Sequence, residues 1–386
     1  MKKVFLLFVF LIFVTQGISG ERPLRIGSFN IQVFGRSKMQ LPPINRKVST
    51  RDLKKWENKK HVVPTLIKIV KRYDLLFIQE IRERKIPKNL SNNYKPAILT
   101  LLNEVNLGLP YGKLYKMTLS KRLGRRHSKT KEQYAYFYRE DKLKIIDKLH
   151  YANYMAGTTF ARPPYVVRFR STLNKKFDFS VIGLHSEPQK AFTEVKQLKD
   201  VYHHIKDLWG EEDSLLLGDL NASCQYLENQ SLGELYDLLM RNPDRYDLQV
   251  LHRYTDKELS VMFPKYKYQY NPLDTDFIWH ITNYVKTTVG TTSHCAYDRL
   301  ISTADVSKRV IKGSAKTYPF DKKYFPRESK LIQGFIKKDV QRTLYRKTNK
   351  SLRPYRGTKE ERRAIEKMRD ISDHYPVELL LRVLDT

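Results

Sequence analysis

The stretch at residues 214–224, SLLLGDLNASC, decides how the chain is read. Three leucines, Leu215, Leu216 and Leu217, form a short apolar run that breaks at Gly218 and then presents Asp219 and Asn221. Residues i and i+2 of an extended chain point the same way, so a carboxylate and an amide leave the strand end together. A hard divalent cation such as magnesium takes an oxygen-rich mouth of this kind. Alone, the stretch reads equally well as an Asx-rich turn closing a strand. Its recurrence along the chain separates the two readings.

Moving outward, 24–32 (LRIGSFNIQ) reads as a buried strand ending at Asn30, and 75–81 (LLFIQEI) as another closed by Glu80. A strand over 178–184 delivers His185, and Asp298 opens an apolar strand within CAYDRLI at 295–301. Near the end of the chain, SDHYPV at 372–377 sets Asp373 beside His374, ahead of a closing strand over 378–384. Further strands are expected over 114–119, 133–138, 144–149, 165–170 and 275–281. Apolar residues at helical spacing predict helices over 61–73, 96–105, 191–209 and 232–240. The alternation indicates an α/β fold. Each polar strand end has a bland reading too: a self-satisfied Asn, an acid marking the exit to solvent, a structural His. Together they supply what metal-assisted phosphodiester hydrolysis needs, namely oxygen ligands, imidazoles to move protons and acids to orient them. Open α/β sheets gather ligands at such strand ends.

Lys2 and Lys3 precede an unbroken apolar run over 4–14, followed by small and polar residues. Residues 1–20 therefore read as a secretory signal peptide too short for a membrane span, with an uncleaved anchor as the alternative. The expected product is exported, does not insert stably in a membrane, and occupies 21–386 as one domain. The formal charge of +31 indicates a polyanionic partner, nucleic acid or an anionic membrane surface. Charge is concentrated in three places. A basic loop over 121–131 includes Arg125 and Arg126 and ends against Glu132. Residues 36–60 form a polar, basic surface excursion. Residues 321–370 hold 17 Lys and Arg against 7 Asp and Glu, and are either partly disordered or a helical arm. Two cysteines, Cys224 and Cys295, fit one disulfide in an exported chain, or two buried thiols. Closing a loop of that length would contribute roughly 4 kcal/mol.

With these residues in place the sequence resembles the secreted deoxyribonuclease I family, within the endonuclease/exonuclease/phosphatase superfamily. The matching motifs are FNIQ (29–32), IQEIR (78–82), KEQY (131–134), LHSEP (184–188), GDLNASC (218–224), CAYDR (295–299) and SDHYPV (372–377). They run in family order over almost the whole chain. The resemblance implies a four-layer sandwich of two packed mixed β-sheets flanked by helices, and a Cys224–Cys295 disulfide. It implies that Asn30, Glu80 and Asp373 hold Mg2+ or Mn2+, with Asp219 and Asn221 completing the cup. It pairs His185 with Glu132 and His374 with Asp298 as acid/base couples. Arg82, Arg162, Arg125, Arg126 and Tyr297 would meet DNA, the substrate of a monomer with little sequence preference.

Three positions depart from the family. Gln32 stands where the family has arginine, and Thr130 where it has a minor-groove tyrosine. Thr287 replaces the leading aspartate of a calcium loop, which leaves structural Ca2+ open. The segments 36–60 and 321–370 look like insertions. Three other functions compete: a phospholipid or phosphoinositide phosphoesterase of the same fold, a toxin-type nuclease subunit, and a non-catalytic binder of nucleic acid. The last would not need both histidines and all the acids.

Overall fold

The computed structural model describes residues 23–44, 46–83, 96–124, 131–151, 160–227, 273, 277–283, 285–290, 295–348 and 353–383. The proposed leader, Arg125, Arg126, Thr130 and the expected helix over 232–240 lie outside them.

Apolar runs buried on both faces become the central strands. β1 (Leu24–Phe34) and β2 (Leu75–Ile81) pair in parallel at the centre of one six-stranded sheet. The others in that sheet are β3 (Tyr115–Leu119), β4 (Gln133–Arg139), β11 (Lys316–Thr317) and β12 (Val377–Leu381), in the order β11-β12-β1-β2-β4-β3. The second sheet is built from β5 (Leu143–His150), β6 (Tyr165–Ser171), β7 (Asp178–Gly183), β8 (Ser214–Asp219), β9 (Phe277–Trp279) and β10 (Asp298–Thr303). Its six strands lie in the order β5-β6-β7-β8-β10-β9. Here β7 and β8 form the central parallel pair, flanked by antiparallel neighbours. Both sheets are thus mixed.

Side-chain alternation along the strands sorts the core into three slabs. Between the sheets lie Leu24, Ile26, Phe77 and Tyr136 from one and Val167, Val181, Leu215 and Leu300 from the other. Gly183 permits their closest approach, because a Cβ there would meet the Phe77 ring at 2.3 Å and the Tyr136 hydroxyl at 2.5 Å. On the outer face of the first sheet, Phe29, Ile31, Leu76 and Ile78 pack on α2 (Val62–Val70) and α3 (Ala97–Asn106). On the outer face of the second, Ile182, Leu216 and Ile301 receive α4 (Ala191–Lys196) and α5 (Leu198–Trp209). The architecture is a four-layer α/β sandwich.

Both basic segments contain helix. Ser49 and Asp52 form a capping box that starts α1 (Thr50–Asn58), which buries none of its residues. After α6 (Ala304–Arg309), the 321–370 stretch folds as α7 (Phe320–Tyr324), α8 (Pro326–Thr348) and α9 (Lys359–Arg369). Ile332 of α8 and Ala364, Ile365 and Met368 of α9 are buried against the first sheet's outer cluster, while Arg327, Lys330, Arg362 and Arg363 stay exposed. Cys224 and Cys295 are disulfide-bonded, with Cα atoms 5.7 Å apart. Among the described residues no helix is long and apolar enough to cross a membrane.

Candidate active site

Strand ends from both sheets meet at one place. Asn30, 1% exposed on β1, donates its amide to Glu80 Oε1 at 3.2 Å and to Asp219 Oδ2 at 3.0 Å. One side chain thereby ties the ends of β1, β2 and β8. The strands reach this arrangement through irregular backbone. Register slips lie between Asn30 and Phe34 and between Ile78 and Ile81. Gln32 (φ 34°), Val33 (φ 52°), Glu80 (φ 57°) and Asn221 (φ 46°) all occupy left-handed conformations. Each such non-glycine residue costs about 1–2 kcal/mol, and four at one location is the clustering seen where strain serves a site. The conformation lets Glu80 Oε2 accept the Val33 amide at 2.9 Å. Gly218 (φ +144°) is required as well, since a Cβ there would fall 1.8 Å from the Leu184 carbonyl oxygen beside His185.

Two imidazoles flank Asp219. His185 Nδ1 lies 2.8 Å from Glu132 Oε1, and its Nε2 lies 3.6 Å from Asp219 Oδ2. His374 Nδ1 lies 2.7 Å from Asp298 Oδ2, with Nε2 also 3.6 Å from Asp219 Oδ2. The pairing register sets Asp298 opposite Asp219 across β10 and β8. Ser372 positions the second ring by donating its hydroxyl to the Asn30 carbonyl at 2.6 Å and accepting the His374 amide at 3.0 Å.

The charges support one another. Burial opposes a charge on His374, but Asp298 and Asp219 outweigh it and raise its pKa well above the ordinary value. His185 is raised likewise, burial being overcome chiefly by Glu132. Burial alone would raise the Glu132 and Asp219 carboxyls, yet their cationic neighbours hold both below the usual range. For Asp298 burial wins, and its carboxyl is raised despite His374.

The remaining expected residues fall nearby with different partners. Arg82 bridges two acids, 3.0 Å from Glu80 and 3.8 Å from Glu132. Arg162 lies 2.6 Å from Glu132 and donates to the carbonyls of His185 and Ser186 at 3.0 and 2.7 Å, so it buttresses the histidine loop. Asn221 is 6% exposed and donates to the Ser186 carbonyl at 3.1 Å. The Tyr297 ring lies 6.4 Å from that of His374. Asp373 accepts from Gln32 Nε2 at 2.8 Å. Thr287 turns its hydroxyl to the Tyr297 and Asp298 amides, at 3.0 and 3.2 Å.

Several further partners are not evident from the sequence. Gln79 accepts the Asp219 amide at 2.6 Å and donates to Ser28 at 2.7 Å; its place before Glu80 on an alternating strand aims it at the other sheet. The Tyr134 hydroxyl accepts the His185 amide at 3.0 Å. Lys38 donates to the carbonyls of Ile31, Gln32 and Ile371 at 2.8, 2.6 and 2.9 Å. It thereby pins the β1 bulge to the segment that leads into Asp373. Burial lowers the Lys38 pKa to about 8, against the pull of Asp373 and Glu80.

The donor set suits a hard cation. Glu80, Asp219 and Asp373 offer carboxylate oxygens, and Asp373 Oδ1 is buried without a hydrogen-bond partner. Asp219, Asp298 and His374 also bring one potential ligand atom each within 4.8 Å of the others, although the Asp298–His374 bond already occupies that couple.

Two oriented imidazoles beside a carboxylate cup, where packed α/β sheets end together, are the working parts of a hydrolase. The chain belongs to the Endonuclease/Exonuclease/phosphatase family, whose profile matches residues 27–316. It is 28% identical over 362 residues to Deoxyribonuclease-1 of Rattus norvegicus, covering 93% of this chain and 92% of that protein. It is 29% identical over 306 residues to Deoxyribonuclease gamma of Mus musculus, covering 78% of each. A solved endonuclease/exonuclease/phosphatase from Bacteroides vulgatus aligns with a TM-score of 0.45 at 14% identity, covering 94% of this chain and 100% of that one.

Proposed function

We propose that this protein is an exported, divalent-metal-dependent endonuclease that hydrolyses phosphodiester bonds of DNA with little sequence preference. The observation that carries the reading is the pair of carboxylate-oriented imidazoles, both 3.6 Å from one oxygen of Asp219. The relatives named above are deoxyribonucleases, and a net charge of +31 suits a polyanionic substrate. The expected leader and the Cys224–Cys295 bond fit export. One chain supplies both couples, which fits a monomer.

In the reaction a water oxygen bonds to phosphorus as the bond to the 3′-oxygen breaks. One imidazole accepts the water's proton at Nε2, and the other, protonated, delivers a proton from Nε2 to the departing 3′-oxygen. Glu132 and Asp298 fix each ring through Nδ1 and stabilise the imidazolium. Glu80, Asp373 and Asp219 would hold Mg2+ or Mn2+, which when bound supplies Lewis acidity to the phosphate, while the Asn30 amide, whose oxygen accepts the Gln32 amide at 2.9 Å, ties Glu80 to Asp219. Asn221 and Arg82 would meet charge on the phosphate oxygens.

A supercoiled-plasmid assay tests this. Wild-type protein with magnesium should give open circles, and EDTA or His374→Ala should suppress them by at least 100-fold. Nicking that survives EDTA, or a fully active His374→Ala protein, overturns the reading.

A further inference from the structure

A groove of about 670 Å³ opens between the 36–60 segment and the end of β2. Arg82 and Val33 stand in its wall, so it is continuous with the site described above. Arg36, Leu41, Pro43, Lys55 and Trp56 are among the other lining residues. Its size matches one nucleotide-sized ligand.

Charge and shape select the occupant. The acids in the wall are engaged: Asp52 accepts from Arg46 at 2.5 and 2.8 Å, and Glu83 accepts the Ala97 amide at 2.7 Å. The lining sets Arg36, Arg46, Lys55 and Arg82 against Asp52 and Glu83 and so is net positive, although Arg36 lies 3.9 Å from Glu83 and Arg82 3.0 Å from Glu80. Arg36 is fixed by two bonds to the Pro42 carbonyl, at 2.8 and 2.7 Å. The helix that carries Trp56 is tied to the turn before it, where Gln40 bonds the Trp56 carbonyl at 3.2 Å and Lys55 bonds Ser37 at 3.2 Å. Trp56 is only partly buried, so a place in the core does not fully account for an aromatic ring here. A planar apolar surface ringed by guanidinium and ammonium groups is what an unpaired nucleotide recognises.

We propose that this groove is a subsite for one unpaired nucleotide adjoining the scissile phosphate. Its base lies on Trp56 between Leu41 and Pro43, and its phosphate meets Arg36, Lys55 and Arg82. The inference rests on the nuclease reading. A base within an intact duplex has no exposed face for the indole, so the subsite favours single strands and frayed ends over closed duplex.

The test uses full-length mature protein carrying His374→Ala, without metal, titrated by fluorescence anisotropy against a labelled 12-mer single strand and a hairpin-closed duplex. Adding Trp56→Ala should weaken single-strand binding about ten-fold and duplex binding less than two-fold. Trp56→Phe, which keeps a stacking ring, should stay within about three-fold of the parent. Equal losses on both DNAs, no loss on either, or a Trp56→Phe defect as large as that of Trp56→Ala overturns the proposal. So does a Trp56→Ala defect seen only with phosphatidylserine vesicles. Failure of wild-type protein to nick plasmid would count against the nuclease reading instead, and the anisotropy comparison is independent of turnover.

Discussion

His374 holds its Nε2 3.6 Å from Oδ2 of Asp219, while its Nδ1 is bonded to Asp298 at 2.7 Å. The two buried carboxylates outweigh the effect of burial and raise the His374 pKa well above the ordinary value. On the mechanism proposed above, this ring is the one that delivers the proton.

Replacing Asp298 by Asn should therefore lower kcat by about 10²–10⁴-fold, the usual contribution of a positioned acid–base group. Because Asp298 helps raise the His374 pKa, its loss lets the ring deprotonate sooner. The alkaline limb of the kcat–pH profile should move to lower pH. An unmoved limb would show that Asp298 serves only the fold.

Asp373 carries a buried oxygen without a hydrogen-bond partner and is otherwise steadied by Gln32 at 2.8 Å. Asp373→Asn and Glu80→Gln should each raise the magnesium concentration for half-maximal activity by roughly ten-fold or more, in the range seen when groups at a metal site are altered. Calorimetric titration of magnesium into each variant checks this without turnover. Unchanged metal affinity in both would place the ion elsewhere.

Arg327 and Lys330 of α8 are exposed, as are Arg362 and Arg363 of α9. Reversing these four charges should flatten the dependence of DNA affinity on salt, by about 0.9 in the log–log slope for each phosphate that is no longer neutralised. Binding to a 30-base-pair duplex across a sodium chloride series measures the slope. An identical slope would mean that the helices face away from the DNA.

His280 bonds Ser302 through Nε2 at 2.8 Å, and burial lowers its pKa to about 4. The unfolded ring takes a proton near pH 6.5, so between pH 6.5 and 4 the unfolded state binds more protons than the native one. Stability should fall by about 2 kcal/mol as pH drops through that window, allowing for the ring's partial contact with solvent. Urea denaturation of wild type and His280→Gln should converge at low pH, the variant lacking this slope.

The central strands are legible in the sequence because apolar runs such as 75–81 have one physical solution inside a sheet, and β2 spans Leu75–Ile81. Local departures are harder to see. β1 continues to Phe34 through Gln32 and Val33 in left-handed backbone, which nothing about a valine foretells. The helix expected over 191–209 divides at Gln197, where ψ is −13° and α5 sets out anew. Helix α1 escapes a periodicity reading although Ser49 and Asp52 have capping-box spacing, because its exposed faces give no apolar stripe to notice. At the site, the residue types are readable but their second partners are not. That Arg162 braces Glu132, or that Lys38 gathers three carbonyls, depends on contacts between segments distant in sequence.

Asn30 joins the ends of strands from both sheets through a single amide. The centre is thus a seam, assembled only once the two halves of the sandwich have closed on each other. A partly folded chain, or either sheet alone, holds scattered acids and imidazoles with no shared target.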